Sequence, residues 1–477
     1  MEKKEQNINQ YHKFRSQYPE FIYDGYEASL KEEMLEIIYH FHIPGLAEFS
    51  PSWKFPRGSF KEKELTSRLK DMIFYLGMVE LVSYWKITCS PKVMVKAGFL
   101  DAKQILWWKD LYFNGLGEFF YVNGIRDACP EGFMEIEAEF QKDQEPWFSS
   151  FQAPETEHTG RERVLVPIGG GKDSAVTLEL LKEAGASCYG YVINPRGATL
   201  HTAEAAGLSQ GSVIAVKRTL DPNMLKLNQQ GFLNGHTPFS AVVAFSSLIA
   251  AELYGLPYIA LSNESSANES TVSGSTVNHQ YSKSFPFEKA FHEYVKAYLP
   301  GSSQYFSLLR PLSEFQIARY FAEKKQYHNI FRSCNVGSKE DKWCGHCPKC
   351  LFVFLILSPF LSREEIIRIF GRDMLMDDSL YPVFEQLIGL QEEKPFECVG
   401  SRDEVNTAIM LTIRQLEKEE KPLPQLLKRY QETGLYERYQ AAGDRYSTYF
   451  DEDNLVPEPW RSLVQRQCCY EGAQVRI

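Results

Sequence analysis

From residue 164 onward, short apolar runs alternate with stretches of helical period. VLVPI, CYGYVI, SVIAV, PYIALS and FSLL read as strands, and residues 173–184, 239–254 and 287–297 read as helices between them. Strands joined through helices need crossover connections, so the spacing predicts a mainly parallel sheet covered on both faces, an α/β fold. Ser313 and Gln316 form a capping box that opens a further helix, SEFQIARYFAEKK. Past Cys350 the pattern is helical, with capping boxes at Ser362/Glu365 and Ser401/Glu404. The apolar run 351–357 is far shorter than the roughly twenty residues that cross a bilayer. It is expected to be a buried helix, and no stable membrane insertion is expected.

Upstream of that alternation, residues 1–145 are rich in aromatics. FHIPGLAEFSPSWKF, MVELVSYWKITCSPKV and WWKDLYFNGLGEFFYVNG read as mixed helix and strand around a small core. The polar stretch 141–163, with Pro146, Pro154 and Gly160, has the composition of a linker. No internal repeat is visible. The expected organisation is a mixed α/β amino-terminal domain over 1–145, a parallel-sheet domain over 160–330, a cysteine-rich segment over 331–352 and a helical region over 353–477.

Length and composition narrow the class. A chain of 477 residues has room for about three domains and a core that needs no disulfides, and 44% hydrophobic with 24% charged residues is a globular balance. The net charge of -10 argues against a broad nucleic-acid surface and leaves room for a local basic pocket that takes a small anion. The polar start MEKKEQNINQYHKF lacks the apolar core of a secretory signal, so a cytoplasmic location is expected and the sequons at Asn263 and Asn268 carry no glycosylation meaning.

The segment Val166-Pro167-Ile168-Gly169-Gly170-Gly171-Lys172-Asp173-Ser174 carries the strongest chemistry, because a strand runs into three glycines and then into a helix. Glycines let backbone approach a ligand, and the free amides at a helix start attract phosphate. Ser174 adds a hydroxyl donor and Lys172 positive charge, while Asp173 would repel a phosphate unless magnesium lay between them. Neither the Walker loop nor the dinucleotide fingerprint is present. The segment resembles the SGGxDS loop of the PP-loop ATP pyrophosphatases, with Gly169 where that family has serine. The resemblance implies ATP cleavage between the α and β phosphates, with AMP passed to an acceptor, and makes 160–330 the ATP-binding domain. In open parallel sheets ligands bind at the carboxyl ends of strands, so Ile193, Asn194, Ser262, Asn263 and Glu264 are candidates to share the nucleotide crevice, although each also reads as a turn former or cap.

Cys334, Cys344, Cys347 and Cys350 have the spacing of a closed four-thiolate zinc site, a structural knuckle with no open position, which leaves His346 a bystander. An iron–sulfur cluster or a redox dithiol are the alternatives. Four cysteines after such a domain resemble the 7-cyano-7-deazaguanine synthases. The aromatic segments, GGGKDS, NHQYSKSFPFE, the cysteine cluster and FECVGS together are similar to the UDP-N-acetylmuramoyl-L-alanyl-L-glutamate epimerases (MurL). That resemblance implies ATP- and magnesium-dependent inversion of the terminal L-glutamate of a UDP-linked muropeptide, with release of AMP and diphosphate, in peptidoglycan synthesis and so in cell shape.

Adenylation would neutralise the carboxylate and turn its carbonyl into an electron sink, after which a base can take the α proton. Lys172, Asp173 and Ser174 are the candidates for the first step. Cys398, just before a capped helix, and His279 and Lys283 are candidates for the second, with His236 as a further candidate base or anion ligand. Trp85, Lys86, Trp107 and Trp108 are candidates for a substrate wall. A nitrile synthase or sulfur transferase acting on a nucleobase, and a non-catalytic nucleotide sensor, are the competing readings.

Overall fold

The computed structural model describes residues 2–138 and 162–469; residues 141–161 of the expected linker lie outside them. Among the described residues, eleven strands form one sheet: β1 Glu20–Leu30, β2 Met34–Ile43, β3 Ala47–Phe49, β4 Ser52–Pro56, β5 Lys92–Val95, β6 Glu135–Ala138, β7 Arg163–Pro167, β8 Ser187–Ile193, β9 Val213–Thr219, β10 Tyr258–Leu261 and β11 Gln304–Ser307. Their order is β11-β10-β7-β8-β9-β4-β2-β1-β5-β6, with β3 paired to β2.

Strands β7 to β11 pair only in parallel with one another, and helices Lys172–Glu183, Phe239–Tyr254 and Phe285–Tyr298 supply crossovers, as the alternation predicts. The middle of β7 is buried on both faces, which is why Val164, Leu165 and Val166 form an unbroken apolar run. The amino-terminal strands β1 to β4 are antiparallel neighbours, and β2 alternates buried and less buried positions because one face meets the core.

The two halves of the sheet are continuous. Ser52–Lys54 of β4 pair antiparallel with Lys217–Thr219 of β9, so the sheet runs through the boundary expected between 1–145 and 160–330. Joining these strands gives both edges hydrogen-bond partners. At the seam Arg218 donates to both carboxylate oxygens of buried Glu80, at 2.6 and 2.7 Å, and Trp53 Nε1 donates to the same carboxylate at 2.8 Å.

One apolar core lies under this seam and joins helix Ser67–Trp85 to helix Phe239–Tyr254. Trp85 and Trp108 are fully buried in it, and Trp107 packs against Tyr294 and Phe245. The tryptophans therefore serve the core and are not among the residues that line the cleft above the glycine turn. Lys86 is buried beside them and donates to the Gly235 carbonyl; burial brings its ammonium down to about 8.

A second core gathers the helices on the far side of β7, β10 and β11. Helix Pro348–Leu357 is buried along nearly its whole length, as the apolar run 351–357 predicts. Capping boxes at Ser313, Ser362 and Ser401 start helices Glu314–Ala322, Arg363–Phe370 and Arg402–Lys418. Among the described residues no helix is long and apolar enough to cross a membrane.

Candidate functional site

Beyond β7 the chain turns through Ile168 to Gly171 and enters helix Lys172–Glu183. Gly170 has φ +84°, and a Cβ there would stand 2.9 Å from Ala198 Cβ and 3.1 Å from its carbonyl carbon, so the turn needs glycine. Gly171 caps the helix without a side-chain hydrogen bond, which leaves first-turn amides available to an anion. Ser174 Oγ donates only to the Gly171 carbonyl, at 3.2 Å.

This turn floors a cleft of about 690 Å³. Gly169, Gly171, Asp173 and Ser174 line it from β7, Ile193 and Asn194 from the end of β8, and Ser262 and Asn263 from the end of β10. Asn194, at φ +51°, exchanges hydrogen bonds of 2.9 Å with the Arg218 backbone, so its amide ties β8 to β9. Ser262 takes a 2.8 Å bond from Thr177, and Asn263 donates to Ser307 at 3.1 Å.

Gly170 and two side-chain candidates, Lys172 and Glu264, lie away from the lining. Lys172 is buried, with Nζ paired to Asp173 and to Glu314. Burial pushes the Glu314 carboxyl up to about 8, whereas Asp173, despite burial, is held below the usual carboxylate range by Lys172, Lys349 and Lys283. Glu264 is buried behind the cleft, and its carbonyl accepts from Arg310.

The opposite wall collects residues from distant segments. His279, Gln280 and Lys283 come from the loop after β10, Cys398 from the loop before Arg402–Lys418, and Lys349 from the cysteine-rich segment. Lys283 Nζ donates to Cys398 Sγ at 3.1 Å, His279 lines the cleft beside the same thiol, and Lys349 donates to the Cys398 carbonyl. Glu118, on helix Gly117–Asn123, bonds His279 Nδ1 and lies 3.4 Å from His236 Nδ1.

Burial alone would raise the Cys398 thiol, yet Lys283, His279 and Lys349 outweigh it and hold the thiol at about 6. Against its own desolvation, His279 is raised to about 9 by Cys398 and Glu118. Burial and the neighbouring His279 bring His236 down to about 4. The pair is thus a thiolate facing an imidazolium, a state suited to moving a proton.

Sequence reasoning did not find Glu118, Lys349, Arg196 or Arg332. Arg332 and Ser333 immediately precede Cys334 and close over the glycine turn: Arg332 N donates to the Gly170 carbonyl at 2.7 Å, and Ser333 Cβ would lie 3.3 Å from a Cβ on Gly171. Arg196, Arg218, Lys283, Arg332 and Lys349 face the cleft, whereas Asp173 is its one carboxylate among the described lining residues. Arg218 is neutralised by Glu80, but the Arg332 guanidinium donates to backbone carbonyls and keeps its charge for a ligand. In a chain of net charge -10 this is a local trap for a polyanion.

The four cysteines meet as their spacing predicts. Sγ separations are 3.8 Å for Cys334–Cys347, 3.7 Å for Cys344–Cys350 and 3.5 Å for Cys347–Cys350, and all four atoms lie within 4.8 Å of one another. A tetrahedral ion with metal–sulfur bonds near 2.3 Å needs sulfurs about 3.8 Å apart, so the residues fit a single metal ion. Glu118, His236 and His279 also lie within 4.8 Å of one another, but Lys86 and Lys283 oppose positive charge at His236.

Residues 12–308 match the family described as MurL N-terminal domain, and residues 330–440 match MurL C-terminal domain. The chain is 36% identical over 353 residues to the UDP-N-acetyl-alpha-D-muramoyl-L-alanyl-L-glutamate epimerase of Xanthomonas oryzae pv. oryzae, covering 72% of this chain and 75% of that protein. Proteins of the same name from a Micromonospora species and from Salinispora tropica are 34% and 35% identical, over 74% and 73% of this chain and 77% and 74% of theirs.

Proposed function

The chain belongs to the MurL family, and from that premise we propose that it inverts the terminal L-glutamate of UDP-MurNAc-L-Ala-L-Glu to D-glutamate for peptidoglycan synthesis in the cytoplasm, consuming ATP with magnesium. The observation that carries the reading is the meeting, in one cationic cleft, of a glycine turn built for phosphate and a thiolate–imidazolium pair suited to a C–H proton.

In this reading the 160–330 segment acts as a PP-loop domain. The Gly169–Gly170–Gly171 amides and Ser174 cradle the leaving diphosphate, and Arg332 adds charge from above. Asp173 would hold magnesium, which when bound neutralises phosphate charge. Ile193 and the backbone at Asn194 border the nucleoside, and Ser262 and Asn263 face it from β10. The glutamate carboxylate attacks the α phosphate and becomes a mixed anhydride with AMP. Its charge is removed, so an α carbanion is stabilised as an enolate. Reprotonation from the other face and hydrolysis yield the D-glutamyl product.

Cys334, Cys344, Cys347 and Cys350 would hold zinc as a closed structural site. Its task is positional, since the same segment sets Arg332 and Ser333 over the glycine turn and Lys349 beside Cys398. Metal analysis is expected to find one zinc per chain, and a Ser174→Ala variant is expected to retain it.

The test is pyrophosphate release by purified protein with ATP, magnesium and the muramoyl dipeptide. Release that depends on this acceptor supports the reading. Release only with carboxydeazaguanine and ammonia would favour a nitrile synthase, and nucleotide binding without turnover would favour a sensor.

A further inference from the structure

We propose that Cys398 Sγ is the base that takes the α proton of the adenylated glutamate, with Glu118 acting through His279 as a positioning residue; the assignment rests on the epimerase reading above.

Three observations converge. Cys398 lines the same cleft as the glycine turn, so a thiol and a site of carboxyl activation share one space. The thiol is flanked by an ammonium 3.1 Å away and by an imidazole that Glu118 holds at Nδ1. Gln280 is only 6% exposed, lines the cleft, and keeps Oε1 without a partner while its amide nitrogen reaches the Val399 carbonyl at 3.4 Å. A buried acceptor without a donor is costly, and the peptide N–H beside the glutamate α carbon supplies a donor of the right kind.

The charges around the thiol define its state. Lys283, His279 and Lys349 face it as cations, Glu118 and Glu397 stand behind His279 as anions, and Asp173 lies toward the glycine turn. The balance is cationic, which keeps sulfur ionised near neutral pH.

The step is a proton transfer. The α C–H bond breaks, the proton goes to Sγ, and the bonding pair moves into the adenylated carbonyl as an enolate. Lys283 Nζ sits against Cys398 Sγ and His279 lines the same wall of the cleft, so the three act from one side. The proton added on the other face comes from water, which inverts the centre and marks it with solvent hydrogen. The thiol then returns its proton to solvent, with His279 and Lys283 favouring the thiolate that remains.

Two experiments test the assignment. Without substrate, iodoacetamide labelling of the Cys398 peptide, followed by mass spectrometry across pH, is expected to be half-maximal near pH 6. A cysteine-containing model peptide labelled in parallel sets the reference for an ordinary thiol, about 8.5. Glu118→Gln should move the Cys398 midpoint up by on the order of one pH unit, a shift that a merely structural Glu118 would not produce. A Cys398 midpoint that coincides with that of the model peptide would overturn the assignment.

With ATP, magnesium and the muramoyl dipeptide in deuterium oxide, Cys398→Ala and Cys398→Ser are expected to release pyrophosphate within about tenfold of wild type and to lose α-deuterium at least about 100-fold. Gln280→Met should raise KM about tenfold and leave the labelling midpoint in place. Undiminished deuterium in the Cys398 variants, or a hydroxylamine-sensitive acyl group on Cys398 in the wild type, overturns the assignment alone. Absence of pyrophosphate from the wild type defeats the epimerase reading and the assignment with it.

Discussion

Ser174→Ala is expected to lower pyrophosphate release about 100- to 1000-fold, the cost of removing one preorganised donor from a site of developing charge. Its hydroxyl donates to the Gly171 carbonyl alone among the described residues, so the substitution should leave the fold intact. Asp173→Ala should be at least as severe, because the cleft would lose its one lining carboxylate among the described residues and with it the candidate magnesium ligand. Lys172 would keep Glu314 as its partner, so loss of Asp173 does not strand a buried ammonium. Pyrophosphate assays paired with thermal unfolding separate chemistry from folding, and near-wild-type turnover in either variant would remove the glycine turn from the mechanism.

Glu288→Ala is expected to destabilise the protein by about 3–5 kcal/mol, the usual cost of leaving one member of a buried ion pair alone. Arg310 is fully buried and Glu288 is 1% exposed; Glu288 accepts from Arg310 Nε at 3.0 Å and from the Ser307 amide at 2.9 Å. Arg310 also donates to the carbonyls of Glu264 and Lys283, the two ends of the loop that carries His279 and Gln280. Urea unfolding should report the loss of stability, and activity should fall with it as the loop relaxes. The double variant Glu288→Leu/Arg310→Met should recover most of the stability, since an apolar pair of similar volume removes the stranded charge, while the loop anchors stay lost and activity stays low. Equal activity in the double variant and wild type would show that Arg310 does not hold the loop.

The parallel half of the fold was legible because buried strands and capped helices write their period into local sequence: VLVPI, CYGYVI and the boxes at Ser313, Ser362 and Ser401 sit where the pattern predicts. The cysteine spacing likewise brought four sulfurs together. The β4–β9 seam was not legible, since backbone pairing of two edges leaves no periodic signal; only Lys217 and Arg218, charged residues within a strand, hint that β9 continues past its apolar run. The three tryptophans were open to two readings, and packing around Tyr294 and Phe245 decides for the core. Glu118 escaped notice because it meets His279 across 161 residues of sequence, and Lys349 because its neighbours in CPKC draw attention to metal. Lys172 stands in a phosphate motif, yet Glu314, a residue 142 positions away, claims its ammonium.

The most direct measurement of the central claim incubates the protein with ATP, magnesium and UDP-MurNAc-L-Ala-L-Glu in deuterium oxide and counts pyrophosphate against deuterium at the glutamate α carbon, with the configuration of that glutamate read by chiral analysis. The account predicts pyrophosphate that depends on the muramoyl dipeptide, and D-glutamate carrying one solvent-derived deuterium at its α carbon. D-Glutamate formed without pyrophosphate, or pyrophosphate released while the glutamate stays L and unlabelled, would contradict it.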